Sequence, residues 1–565
     1  MSSISTVVSF DKLPIELIHT IFNYLETHDI FISFYNINTY INTILDTYQR
    51  YHLNFESVRM SHFYITLHHI NPSQVISLTL SNMDDTPGQF QLFFSLFSIK
   101  QFIRLESLQL IQPLNPTNLN RILIDILTLE SLKSLSIIHC QPSSVNQETF
   151  LLFSSLINTS ASLRRLYLSG ALNTIFHSKI TSSVTHLCFN NNIFNSVTLE
   201  NIVSRMPYLK SLNTAITLNM NYTYLSSPIH LTRLTMTIFI NINNSDLIIL
   251  LNKMPSLVFF NITASGKQWF NGNFWEQHLP LTLRTFQFNF CTQSIHINTQ
   301  IILETFQTPF WLKIKHWYVM LDCQMNQTMT HLYSLPYCDT QFYYRPSMNP
   351  TRKFRSSAPI VKPYMNNVKK LTIDFSTLIT ESSSSLASTH FFSNISTLIL
   401  VDHGCYSSIQ LLLNFLECII DFTQIVELKL GQFHHPDFIR ILYNRLPRLY
   451  SLRISETLYS KLQMLDFRNI RSLNICDCLT NIGGMVCMFP SIEYLCVRST
   501  TFEHMRQMIE LLGKTLINVT FRHTNQKFQE QIIKWLYEYY DKHRQFSYDI
   551  DEHMNLHIWL SDLVV

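Results

Sequence analysis

The sequence predicts a mixed α/β fold in which a short N-terminal helical module precedes a long solenoid of strand–helix units. Two observations favour the solenoid. An apolar pattern with strand spacing returns along most of the chain, and helical segments separate its copies. A third observation sets the N-terminus apart, because the first fifty residues carry apolar side chains at helical spacing. The chain has 565 residues, of which 46% are hydrophobic, so it has enough apolar material for such a core.

The segment Phe10–Leu25 predicts an amphipathic helix. Pro14 suits a first turn, where its missing N–H removes no hydrogen bond, and the charge of Glu16 favours the N-terminal end of the helix dipole. Two further short helices are expected over Ile30–Asn36 and around Tyr40–Tyr51. Helices this short need a partner, or the rest of the chain, to bury their apolar sides. The apolar face of the first helix comprises Leu17, Ile18, Ile21, Phe22 and Leu25.

This N-terminal run resembles the F-box. The similarity lies in Leu13-Pro14-x-Glu16-Leu17, then Ile21-Phe22-x-Tyr24-Leu25, then Asp29-Ile30. The resemblance implies a module that binds a Skp-type adaptor and thereby joins a cullin-based ubiquitin ligase. The residues alone are also compatible with a helical cap on the array that follows. The adaptor-binding residues that the resemblance implies are Leu13, Pro14, Leu17, Ile21, Phe22, Leu25, Asp29 and Ile30.

From residue 75 onward one pattern recurs: an apolar residue, two spacers, usually Leu, one spacer and another apolar residue. Val75-Ile-Ser-Leu-Thr-Leu80 is the first of sixteen copies, and thirteen of them have Leu at the centre. Because the last two apolar positions alternate with a spacer, they should point inward from a strand and stack on neighbouring copies. The copies begin at Val75, Leu105, Leu132, Leu163, Val184, Leu209, Leu231, Leu257, Leu283, Val368, Ile395, Ile425, Leu449, Ile470, Ile492 and Leu516.

Helical segments are expected between the copies, and several end before a proline, which stops a helix. The ninth position of ten copies is a small hydrogen-bonding residue suited to a turn. The expected helical segments include Leu199–Met206, Asp246–Met254, Phe438–Leu446 and Met505–Leu512. The ninth-position residues are Cys140, Asn192, Thr217, Ser265, Cys291, Ser376, Thr457, Cys478, Thr500 and Thr524.

The starts of successive copies are mostly 21–31 residues apart, which resembles the leucine-rich repeat. With the N-terminal run, nearly the whole chain is similar to F-box leucine-rich-repeat proteins. This implies a curved solenoid with parallel strands on its concave face and helices on its convex face. The expected organisation is an F-box over 8–55, a linker helix region over 56–74, repeats over 75–290, irregular repeats or an insertion over 291–366, repeats over 367–525 and a C-terminal cap over 526–565. Within the irregular part, Trp311–Met320 is expected to form one more strand.

Composition excludes several function classes. The nine glycines form neither a P-loop nor a dinucleotide fingerprint, and a net charge of +3 without a basic run argues against nucleic acid as a partner. The N-terminus does not look like a signal peptide, and no apolar stretch is long enough to span a membrane. Eleven cysteines without a C-x-x-C pair favour reduced thiols. We therefore expect a protein of the cytoplasm or nucleus with neither nucleic acid nor a membrane as partner.

Candidate sites are few. Lys429, Arg453, Arg498 and Arg522 are expected on the concave face of the later copies, where they would suit an acidic or phosphorylated ligand. The alternative, which the sequence favours, is an ordinary solvated surface. The spacing of Cys476-Asp-Cys478 with His434-His435 matches no structural zinc site. Trp269, Trp275, Trp311 and Trp317 favour core or edge packing over a binding site. No catalytic residue, metal site or cofactor is predicted.

The expected function is therefore a non-catalytic substrate-recognition adaptor of a Skp-cullin-F-box-type ubiquitin ligase. The partners that the resemblance implies are a Skp-type adaptor and a cullin. The solenoid would bind a protein substrate whose identity the sequence does not give. The alternative is a ligase-independent interaction scaffold in which the helical module is only a cap.

Overall fold

The computed structural model describes residues 10–113, 116–140, 145–170, 182–194, 202, 206–216, 230–238, 244–293, 298–323, 329–345, 353–357, 365–375, 390–401, 409–431, 435–462, 466–479, 481–499, 501–540 and 545–561. Several predictions lie outside these residues. They are the turn residues Thr217, Ser376 and Thr500, the histidine His434, and all but two residues of the expected helix Leu199–Met206.

The described chain alternates strands and helices, as in a mixed α/β fold. The strands are β1 (Tyr51–Asn54), β2 (Val75–Ser81), β3 (Ser107–Ile111), β4 (Ser134–Cys140), β5 (Arg165–Gly170), β6 (His186–Phe194), β7 (Ser211–Ile216), β8 (Arg233–Ile238), β9 (Phe259–Ser265), β10 (Thr285–Gln293), β11 (Tyr318–Cys323), β12 (Met329–Leu335), β13 (Gln341–Tyr344), β14 (Lys353–Ser356), β15 (Lys370–Asp374), β16 (Thr397–Val401), β17 (Glu427–Leu430), β18 (Ser451–Ile454), β19 (Ser472–Cys478), β20 (Tyr494–Arg498), β21 (Asn518–Arg522), β22 (Phe546–Ile550) and β23 (Leu556–Leu560).

The helices are α1 (Ile15–Phe22), α2 (Thr27–Phe34), α3 (Thr39–Thr47), α4 (Met60–His69), α5 (Gln89–Leu96), α6 (Pro116–Ile126), α7 (Gln147–Thr159), α8 (Asn244–Asn252), α9 (Gly272–His278), α10 (Thr299–Thr305), α11 (Ile409–Ile419), α12 (Pro436–Tyr443), α13 (Glu456–Lys461), α14 (Ile482–Met488), α15 (Phe502–Leu512) and α16 (Gln526–Trp535). Two π-helical turns, Phe310–Lys315 and Leu536–Tyr540, complete the longer helical elements of the described chain.

Two long sheets contain all of these strands. The first runs β1 to β10 in chain order and continues with β12, β11 and β14. The second runs β13, β15 to β21 in order, then β23 and β22. Every pairing between successive strands of the two ordered runs is parallel, as repeated strand–helix units require. The architecture is thus a mixed α/β fold with long parallel sheets, consistent with a solenoid.

Each of the sixteen copies of the repeated pattern lies on or enters one of these strands. The central residues stand directly opposite one another, as Leu108 does between Leu78 and Leu135 in the first sheet and Leu452 between Leu428 and Leu473 in the second. All sixteen central side chains are buried. The inward stacking that the sequence predicts is therefore present, and it gives each sheet a continuous core.

The two sheets meet at two seams, and antiparallel strands lie at both. At the first seam, β12 pairs with β10 and β11 in antiparallel fashion. Leu332 belongs to the core of the first sheet, whereas its neighbour Tyr333 belongs to the core of the second. Since successive side chains of a strand point to opposite faces, one strand can close both cores.

The second seam joins the two ends of the chain. β23 pairs antiparallel with β21, and Trp559 of β23 enters the core of the first sheet, where its ring lies 5.5 Å from that of Phe63 in α4. The side-chain amide of Asn518 donates to the carbonyl of Asp84 over 2.8 Å. Residues more than 430 positions apart in sequence are thus in direct contact, and the described fold closes on itself.

Three sequence predictions were wrong in detail. Most of the ninth-position residues expected in turns lie in regular elements instead, because the strands extend beyond the six-residue pattern: Cys140, Asn192, Ser265, Cys291 and Cys478 are in strands and Thr457 is in α13. The expected strand Trp311–Met320 is helical up to Lys315, and the strand begins at Tyr318. The helical turn places the Trp311 ring against Phe306, where its indole N–H donates to the carbonyl of Gly272, and these contacts with distant residues favour the turn. The third helical segment was expected to reach Tyr51, which instead begins β1.

Candidate functional site

The three N-terminal helices form one packed unit that is fixed to the first sheet. Ile18 and Phe22 of α1 belong to the same buried cluster as the sheet residues. The hydroxyl of Thr27 donates to the carbonyl of His52 over 2.7 Å, and the hydroxyl of Tyr51 donates to that of Leu45 over 2.8 Å. The side chain of Asn38 caps α3 by accepting from the amide of Ile41. The unit is therefore held rigidly, with one side against the core.

The structure separates the predicted adaptor-binding residues by burial. Phe22 and Ile30 are each 1% exposed, so they hold the unit together from inside. Leu17 is 51% exposed and Leu25 is 36% exposed. The remaining residues are half-buried or exposed: Leu13 and Ile21 are half-buried, and Pro14 and Asp29 are exposed.

Leu17 and Leu25 are two of eight large apolar side chains in the helical unit that are exposed, and the sequence did not reveal the other six. Tyr24, at 85%, is the most exposed of them, and all eight lie between Ile15 and Tyr40. Exposed apolar side chains scattered singly need no explanation, but eight within one small unit indicate an interaction surface. We call this set the N-terminal apolar surface: Ile15, Leu17, Tyr24, Leu25, Ile32, Tyr35, Ile37 and Tyr40.

Helical spacing explains why this surface was missed. The sequence showed one apolar face on α1, but the structure divides it: Ile18 and Phe22 point into the core, whereas Leu17 lies on the other side of the helix. Leu17 and Ile21 are four residues apart on α1 and so share that outer side, whereas Leu25 follows the end of the helix at Phe22. The sequence did carry one signal of this surface: the N-terminal segment has more apolar residues than are needed to form one buried face on a short helix.

The four predicted basic residues lie on the solvent face of the second sheet, in two adjacent pairs. Lys429 stands opposite Arg453, and Arg498 stands opposite Arg522. Lys429 forms an ion pair with Glu427 over 3.0 Å, and Arg453 donates to the sulfur of Cys476 over 3.4 Å. The strand β19 separates the two pairs, so the structure does not gather all four side chains around one point.

Burial raises the pKa of the Cys496 thiol to about 11, although the nearby guanidinium of Arg522 opposes that change. The thiol is thus protonated at neutral pH and adds no charge between the two basic pairs. This part of the sheet is a modestly positive surface, and nothing in its geometry resembles a nucleophilic site.

Three of the four tryptophans near the irregular region are completely buried. Trp269, Trp275 and Trp311 pack with Phe286 and Phe290 in one aromatic cluster. Core packing, rather than ligand binding, accounts for them. Among the residues that the structure describes, no group of three or more His, Cys, Asp and Glu side chains is placed to hold a metal ion. Nor does any described helix have the length and apolarity needed to cross a membrane.

No protein-family model matches the sequence, and no curated protein matches it.

Proposed function

We propose that this chain is a non-catalytic substrate-recognition adaptor of a Skp-cullin-F-box-type ubiquitin ligase, acting in the cytoplasm or nucleus. The N-terminal apolar surface carries the proposal. It combines exposed Leu17 and Leu25, which the F-box resemblance assigns to adaptor binding, with six further exposed apolar side chains on the same helical unit. A rigid apolar surface of this kind supports a stable protein–protein contact.

The rest of the fold supports a positioning role. The helical unit shares its core with the first sheet, so a partner bound to it is held in a fixed direction relative to the sheets. A substrate bound elsewhere on the same body is then presented to the ligase at a high effective concentration. The solvent face that carries Arg453, Arg498 and Arg522 is the surface that we assign to an acidic or phosphorylated protein substrate.

The experiment that tests the adaptor contact is a pull-down of a Skp-type adaptor by the full chain and by its Leu17→Asp variant. We expect the wild type to retain the adaptor and the variant to lose it. The substitution removes apolar contacts of the kind that dominate binding and places a charge in an apolar interface. The expected loss of binding free energy is about 2 kcal/mol or more, which is a roughly thirtyfold loss of affinity.

The matched control is Leu151→Asp, because Leu151 is an exposed leucine on α7 that lies outside the N-terminal apolar surface. This variant should bind the adaptor like the wild type. Failure of the wild type to bind, or equal loss in both variants, would contradict the proposal. Matching thermal stabilities of the two variants would show that Leu17→Asp has not simply unfolded the helical unit.

A second candidate is a ligase-independent interaction scaffold in which the helical unit only caps the first sheet. The shared core favours it, since Phe31 stacks on Tyr51 of β1 as a cap would. The same pull-down separates the two functions. If the chain is a ligase-independent scaffold, the wild type should bind other protein partners but should not bind the Skp-type adaptor.

A further inference from the structure

A basic pocket lies where the second seam brings the ends of the chain together. It has a volume of about 560 Å³ and is lined by the segments that lead into four consecutive strands, β18 to β21, together with Arg59 from the other end of the chain. We call it the seam pocket. Its charged residues are Arg59, Arg448, Arg468, Arg471, Glu493 and Lys514.

The charges in the seam pocket do not balance. Its one carboxylate, Glu493, accepts from Arg59 over 2.8 Å and from Arg471 over 3.1 Å. Asp466, which lies outside the lining, pairs with Arg468. The lining of the seam pocket thus contains five cations and one carboxylate. Arg448 and Lys514 are exposed and form no ion pair with any residue that the structure describes.

The spacing of these cations favours a ligand with more than one anionic group. Adjacent strands of a sheet are about 4.8 Å apart, so the backbone positions that carry the cations on the approaches to four consecutive strands span roughly 15 Å. A ligand with several anionic groups pairs with more of these cations than a single phosphate does. Guanidinium groups bind phosphate oxygens through paired N–H donors, and Asn469, Ser491 and Thr515 add uncharged polar groups to the lining. The volume lies within the range of ordinary small-ligand sites.

We propose that the seam pocket binds a small anion that carries two or more phosphate groups. The anion would contact Arg59 and the approaches to β18–β21 at once, and so would hold the two ends of the chain together. This site is separate from the N-terminal apolar surface and from the basic pairs on the solvent face. The proposal therefore does not depend on the adaptor function.

Calorimetric titration of the full chain with inorganic triphosphate tests the proposal. We expect saturable binding, weaker binding of inorganic phosphate, and a rise in thermal stability as triphosphate is added. The double variant Arg448→Ala, Lys514→Ala should bind at least about tenfold more weakly, because each substitution removes a charge-assisted contact. Both side chains are exposed and lack ion pairs in the described chain, so the variant should fold.

The control is Arg121→Ala, Lys267→Ala, which removes two exposed cations that do not line the pocket. It should bind triphosphate like the wild type. Equal weakening in both double variants would show general charge attraction and overturn the proposal, as would a lack of preference for triphosphate over phosphate. Two further arms use vesicles of anionic phospholipid and a singly phosphorylated peptide. If the vesicles or the peptide bound to the wild type but not to the Arg448→Ala, Lys514→Ala variant, and triphosphate did not bind to the wild type, the proposal of a small free anion would be wrong.

Discussion

The parallel runs and the two seams of this molecule are built by different rules. In the parallel runs each strand repeats its neighbour, so that Leu108 stacks between Leu78 and Leu135 and one sequence pattern describes every unit. At the seams the strands are antiparallel, and one of them, β23, buries both faces along its whole length. The comparison shows that a sheet built from repeated units can be predicted from the sequence. The contacts that close the fold at the seams cannot, because each of them joins particular residues that are far apart in the sequence.

The largest expected effect is at the second seam. Replacing Trp559 with Ala should lower the free energy of unfolding by about 3–5 kcal/mol, because a fully buried ring that joins the two ends of the chain is lost. Urea denaturation measures the loss. Trp559→Phe should cost less, since it keeps an aromatic ring and removes an indole N–H that is buried without a hydrogen-bond partner in the described chain. Equal costs for the two variants would contradict this assignment.

In a parallel run, Leu135→Ala should cost about 2–5 kcal/mol, because Leu135 is completely buried between two aligned leucines. The effect should remain local to neighbouring units, as in other repeat architectures. Hydrogen exchange should therefore increase in β3, β4 and β5 and change little in β19. The control is Leu151→Ala on the surface of α7, for which less than about 0.5 kcal/mol is expected. A uniform increase in hydrogen exchange over both sheets would contradict the expectation that a substitution in a parallel run acts only on neighbouring units.

The first seam contains a polar contact whose loss should have a smaller effect. Tyr333 and His390 are buried, and the Tyr333 hydroxyl lies 2.7 Å from Nε2 of His390. Tyr333→Phe removes this hydrogen bond and should cost about 1–3 kcal/mol in chemical denaturation. Tyr208→Phe, at an exposed tyrosine, should be nearly neutral. If the two substitutions cost the same, the buried bond does not stabilise the seam.

The smallest effect concerns pH. Asp551 lies in the turn between β22 and β23, and its pKa is below the usual 3.8. Burial alone would raise this pKa, but the hydrogen bonds donated by the backbone and side chain of Asn555, together with the nearby His557, outweigh burial. A carboxyl whose pKa is depressed by folding stabilises the fold above its unfolded value and loses that contribution as the pH falls through the folded value. Asp551→Asn should therefore lower stability at pH 6, and the difference from wild type should shrink below about pH 4. A difference that grows on acidification would contradict this sign.

Much of the parallel architecture was predictable, and the seams were not. The sixteen copies mark sixteen strands because each places a buried residue at the same point of the unit. Tyr333 and Trp559 carry no such pattern, and their roles depend on residues far away in sequence. The expected strand Trp311–Met320 was wrong in its first part, where Trp311 contacts Phe306 and Gly272, which lie outside its own segment.

The candidate site was predictable only in part. The run from Leu13 to Ile30 located the helical unit, and Leu17 and Leu25 are exposed as a docking role requires. Tyr24, Ile32 and Ile37 were missed because an apolar residue on a short helix gives no sign of which side meets the core. The seam pocket was invisible to sequence reasoning, since Arg59 and Lys514 meet only when the fold closes.

Hydrogen–deuterium exchange of the full chain, with and without a Skp-type adaptor, tests the central claim most directly. The account predicts that the adaptor slows exchange in α1, α2 and the turn up to Tyr40, and leaves α7 and the strands β17–β21 unchanged. Absence of protection in α1 and α2, or protection on the second sheet instead, would contradict the assignment of the N-terminal apolar surface as the adaptor-binding site.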